Sequence, residues 1–159
     1  MKTKLLTSLF LVSTLWAAPK MTGYHNVELG GVSYLAFTQG FPESHSIWSA
    51  IGITDHDQVY VGVSDHVVNV GIFKYDAKKD TMTYLGDILA AGKMWIHQWQ
   101  GKIHTGLAYN KKDGLVYFGS DAGNSLWDYV GVPDQGYVGG HWFSIDPKSD
   151  KITNMGMGI

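Results

Sequence analysis

The chain has 159 residues, 20 of them glycine and 13% aromatic, and a formal net charge of −2 at pH 7. These figures suit one turn-rich domain of ordinary size, and they lack the basic excess that binding nucleic acid calls for. All 12 residues in the lysine-plus-arginine count are lysine and cysteine is absent, which excludes disulfides and cysteine–zinc sites.

Met1–Lys4 carries two lysines, Leu5–Leu15 is a short apolar run, and Trp16-Ala17-Ala18-Pro19 ends in small residues. This is the build of a secretory signal peptide over residues 1–18, too short for a membrane span. The predicted mature chain, 19–159, is therefore secreted or periplasmic and free of the membrane. Next, His25–Phe41 reads as one or two short strands broken by Gly30-Gly31.

Ser44–His66 reads as a β-hairpin. Ser46–Thr54 and Gln58–Ser64 are β-branched and aromatic runs on either side of Asp55-His56-Asp57. Antiparallel pairing about that turn brings His45 and His66 to one edge of the sheet. Val67–Tyr75 and Thr81–Leu85 follow as two more strands around a polar turn. A second hairpin, Lys102–Asn124, opens with His104.

The chain then repeats. Phe73, Asp76, Lys78, Asp80, Thr83 and Gly86 recur as Phe143, Asp146, Lys148, Asp150, Thr153 and Gly156 at a constant offset of 70. Val59-Tyr60-Val61-Gly62 likewise matches Val116-Tyr117-Phe118-Gly119, and His45 is matched to His104 across a small gap. The residues Asn124–Tyr137 are an insertion in the second copy. Units of four strands and roughly 40–60 residues are the mark of a β-propeller. The expected fold class is thus all-β: a partial β-propeller with one blade over about 42–86, a second over 101–156, and strands of a preceding one. Propellers take about four to eight blades, so two imply either a fragment of a larger propeller or assembly with further copies. The open edges of an unclosed pair favour the fragment.

Short charged turns fall on one face of such an arrangement, His56 among them. The other face receives five of the seven histidines and most of the tryptophans. There stand His45, His66, Lys93, Trp95, His97, Trp99, His104, the insertion with Trp127, Tyr129 and Tyr137, and His141 with Trp142. Aromatic surfaces among polar groups suit a carbohydrate, whose rings stack and whose hydroxyls hydrogen-bond. His66 has no counterpart in the second copy, which reads Asp121-Ala122-Gly123, and so it is the candidate specialist. Trp48 and Trp142 are expected to pack between blades. No carboxylate pair falls on the aromatic face, which disfavours a hydrolase.

The hairpin with a histidine at each open end, the run Lys102–Ser120 and the stretch Gly139-Gly140-His141-Trp142-Phe143-Ser144-Ile145-Asp146 resemble the secreted seven-bladed propeller polysaccharide lyases of marine bacteria, the ulvan lyases above all. The resemblance covers about Phe41 to the end. It implies β-elimination in a uronic-acid-containing, sulfated algal polysaccharide. That reaction needs neutralisation of the carboxylate, a base for the C5 proton and an acid for the leaving oxygen. It further implies that His45, His66 and a tyrosine act as catalytic residues. Tyr137 and Tyr129 are candidates for the tyrosine, with Tyr109 behind them. Substrate binding falls to His104, His141, Lys93, Trp127, Tyr129 and Tyr109; without arginine, the sugar carboxylate must be met by Lys93, Lys102 or histidines. No cofactor is required. A structural calcium or zinc ion is compatible with the fold, but the histidines show no compact ligand spacing. The rival reading is a propeller that binds carbohydrate or another protein without catalysis.

Overall fold

A computed structural model describes residues 20–21, 27–29, 32–34, 40–42, 44–66, 68–94, 99–122 and 139–157. The predicted signal peptide, 1–18, and the whole of the insertion Asn124–Tyr137 lie outside these, and with the insertion Trp127, Tyr129 and Tyr137; so do Trp95 and His97.

Among the described residues the architecture is all-β with one short helix, built on two antiparallel four-stranded meanders. The first comprises β4 (Ile51–Ile53), β5 (Gln58–Ser64), β6 (Val70–Asp76) and β7 (Thr81–Asp87). A two-residue strand β1 (Lys20–Met21) pairs with the outer edge of β7. The second meander comprises β8 (Ala108–Asn110), β9 (Leu115–Gly119), β10 (His141–Asp146) and β11 (Lys151–Met157). Strands β2 (Val27–Leu29) and β3 (Val32–Tyr34) form a separate hairpin, as the Gly30-Gly31 break predicts.

The repeat read from the sequence is reproduced in backbone detail. Asp76 accepts the Lys78 N–H at 3.1 Å, and Asp146 accepts the Lys148 N–H at 2.9 Å. Each of these side-chain turns bends the chain back into the next strand. Both turns end on an aspartate in left-handed backbone, Asp80 at φ 49° and Asp150 at φ 58°. In both sheets the register then shifts, between Ile72 and Phe73 and between Trp142 and Phe143. Gly86 (φ 120°) and Gly156 (φ 112°) supply the backbone conformation there that a side chain would disfavour.

Two differences from the expected elements have local causes. The strand expected over Ser46–Thr54 is interrupted: Ser49 takes φ 65° and its carbonyl accepts the Ile51 N–H at 2.8 Å. A bridge joins Ser46 to Ser64, and regular pairing resumes at β4. The second difference is the helix α1 (Ile88–Gly92), which the strand reading did not anticipate. The Asp87 carboxylate caps it by accepting the Ala90 N–H at 2.8 Å, and Lys93 ends it at φ 50°.

The core lies between the two sheets. Tyr60, Val70 and Ile72 of the first sheet meet Val116, Phe118, Phe143, Ile145 and Ile152 of the second, all buried. The innermost strands approach most closely: the Leu107 N–H donates to Ile51 O at 3.2 Å, and a Cβ on Gly52 would collide with the Leu107 carbonyl. On the far face of the first sheet a second cluster forms, where Phe41 packs with Val61, Val63, Phe73 and Met82. Polar groups tie the sheets at both ends. The ammonium of Lys74 pairs with the Asp150 carboxylate near the turns. At the opposite end the fully buried Gln100 donates to Gly139 O at 3.0 Å and accepts from the Ser120 hydroxyl.

Candidate functional site

The turn after β5 builds the site. The Asp65 carboxylate accepts the N–H groups of Val68 and Asn69 at 2.8 and 2.9 Å, closing a tight loop. Within it His66 is forced to φ 71°, unusual for a residue with a side chain, and its N–H donates to the Ser64 hydroxyl at 2.6 Å. That hydroxyl in turn donates to Gly101 O, which fixes the segment carrying Lys102 and His104 beside the first hairpin. His45 is held on the other hairpin arm, its N–H donating to Ser64 O at 3.0 Å. A bridge between Lys102 and Asp121 anchors the second sheet's edge in the same way that Ser46 and Ser64 anchor the first.

These constraints gather four rings and a lysine. The imidazoles of His45 and His66 lie edge to face with centroids 6.1 Å apart. Trp48 stacks on His66 at 5.1 Å with planes 5° apart, and on His104 at 5.6 Å. The Lys102 ammonium sits 5.1 Å from the Trp48 ring centre, a cation–π geometry. His104 Nδ1 lies 3.9 Å from the Asp121 carboxylate. His45 is exposed, and its Nδ1 is 2.8 Å from the Ser46 hydroxyl. His66 differs: its Nε2 is buried and has no hydrogen-bond partner among the described residues.

His45, His66 and His104 therefore come together as expected, but through a tryptophan that sequence reasoning assigned to packing between blades. Trp48 is 41% exposed and instead binds the histidines into one cluster. Trp142, also expected between blades, is 55% exposed with its ring over Gly119. The matching of His45 with His104 is corrected by the backbone. The two bridges align Ser46 with Lys102, which places His104 level with Trp48. Similar residues suggested one alignment; pairing geometry sets another.

The remaining described candidates lie elsewhere. Tyr109 is not brought to the cluster, because β8 runs toward the turns. Its hydroxyl bonds to the Asp55 carboxylate, which pushes its pKa up. His141 Nδ1 is 3.1 Å from Asn154 Oδ1. His141 is thus tied to β11, and Lys93 stands at the C-terminal end of α1. His56 is exposed beside Asp55 at the turns, where the sequence put it. Among the described residues no three histidine, aspartate or glutamate side chains converge to hold a metal ion, and no helix is long and apolar enough to cross a membrane. Comparison with known family models, curated proteins and solved structures returns no match for this chain.

Proposed function

We propose that the chain is part of a secreted β-propeller whose histidine-bearing edge binds a uronic-acid polysaccharide of the sulfated, ulvan-like kind and cleaves it by β-elimination. Two successive four-stranded meanders, stacked with their first strands closest, are what adjacent blades require. The observation that carries the chemistry is the His45–His66 pair, 6.1 Å between ring centres, beside the Lys102 ammonium and His104.

In this reading Lys102 and His104 face the sugar carboxylate and offset its charge, which acidifies the C5 proton. Imidazole serves as base or acid near neutrality. His45 is the exposed member of the pair and so the one a sugar ring reaches; it removes the proton. The C4–O bond breaks as the C4–C5 double bond forms, and the leaving oxygen takes a proton from a second group. His66, held under Trp48 and edge to face with His45, its buried Nε2 lacking a partner among the described residues, is one source of that proton. Tyr137, in the insertion, is the other.

A binding module without catalysis is the second reading. It is favoured by the stacking of Trp48 on His66, which engages that imidazole in packing. The two readings separate in one assay. The chain is incubated with ulvan and with other uronic polysaccharides while the near-ultraviolet absorbance of the unsaturated uronate product is followed. Elimination predicts a rise that falls by about 10²–10⁴ in His45→Ala and His66→Ala and persists in His56→Ala. Binding without any rise from the folded parent chain would leave the binding module.

A further inference from the structure

The two repeats bury the same positions unequally, and the inequality is complementary. On the outward face of the second sheet Trp142 is 55% exposed and Met155 56%. At the offset of 70 they stand where Ile72 and Leu85 stand in the first sheet. Ile72 is fully buried and Leu85 packs on the same core, because the second sheet sits on them. The mismatch is mirrored at the other end of the molecule. The alignment of Ser46 with Lys102 matches Ile47, Ile51 and Ile53 to Ile103, Leu107 and Tyr109. Ile103 and Leu107 are 1% and 4% exposed and Tyr109 packs against the core, whereas Ile47, Ile51 and Ile53 are 52%, 56% and 64% exposed. What the first repeat leaves bare on its front, the second buries; what the second leaves bare on its back, the first buries.

We infer that this chain associates head to tail with a second copy of itself, the β4 isoleucines of one copy seating on the Trp142–Met155 face of the next. The contact continues the interface that already joins the two sheets within one chain, using equivalent positions. Phe41 covers the outer strands of the first sheet's front face, so the inner strand carries the contact. An interface of this heterologous type joins two different surfaces and either closes into a ring or extends. It does not depend on the chemistry proposed for the histidine edge.

Sedimentation or light scattering across a concentration series tests it, with parent, Ile53→Lys, Trp142→Lys and an equimolar mixture of the two variants. Each change replaces an exposed side chain, and circular dichroism verifies the fold; Ile51→Lys and Met155→Lys are the substitutes should either variant fail that check. The parent is expected to gain mass with concentration, each variant alone to stay monomeric, and the mixture to stop at a pair, since each variant retains one intact face. A parent that stays monomeric throughout would overturn the inference. So would an Ile53→Lys chain that associates as the parent does, which would mean that the Trp142 face pairs with itself.

Discussion

At the residue scale, the polar groups between the sheets are the most sensitive probes. Tyr60 is fully buried, its hydroxyl lacks a hydrogen-bond partner among the described residues, and burial together with Asp150, Asp146 and Asp76 drives its pKa upward. A buried hydroxyl without a partner costs stability that a phenyl ring does not. Tyr60→Phe is therefore expected to leave the fold unchanged or to stabilise it by about 1 kcal/mol in urea titration; a clear loss would show that the hydroxyl is bonded in solution. The turn aspartates act in the opposite sense. Asp76 is held below the ordinary carboxylate range first by the Lys79 side chain and then by the N–H groups of Lys79 and Lys78. The Ser149 hydroxyl and then the Lys148 N–H do the same for Asp146. Because the folded pKa lies below the unfolded one, this stabilisation is complete above about pH 4, the unfolded aspartate value, and is lost as pH falls through the folded value. Denaturation at neutral and acid pH should show stability dropping below that point, with a smaller drop in Asp76→Asn.

At the scale of elements, the approach of β4 to β8 sets how the sheets meet. A methyl group on Gly52 strikes the Leu107 carbonyl, which is backbone and cannot swing aside, whereas at Gly106 the nearest atom, Ile51 O, is 3.5 Å away. Gly52→Ala is thus expected to cost about 1–3 kcal/mol or more, and Gly106→Ala little, in parallel melts. Equal effects would contradict the described contact between inner strands. The Lys74–Asp150 pair joins β6 to the turn before β11 with side chains 12% and 35% exposed. Lys74→Met leaves a partly solvated carboxylate unpaired, and a loss of about 1–2 kcal/mol is expected.

At the scale of the whole molecule, the meanders were legible because their signals are local. Aspartate turns and a glycine after each bulge recur at one offset, and the structure follows them down to the matching backbone angles. What the sequence hid depends on contacts between distant segments. The helix α1 has too few residues for a period to show, and only the Asp87 cap and two alanines hinted at it. The histidine edge was legible in part, since hairpin pairing alone brings His45 to His66. The role of Trp48 was not, because its stacking depends on the Ser64–Gly101 bond that draws the second repeat alongside. Nor did identity matching recover the alignment of His104 with Trp48, which follows from the bridge positions. The proposed function requires these rings to form one ligand-facing site. Titrating an acidic oligosaccharide into labelled protein, while the histidine and indole ring resonances are followed by NMR, tests this most directly. The rings of His45, His66, His104 and Trp48 should shift together, with one affinity, while His56 stays fixed. Shifts at His56 alone, or none at the cluster, would contradict it.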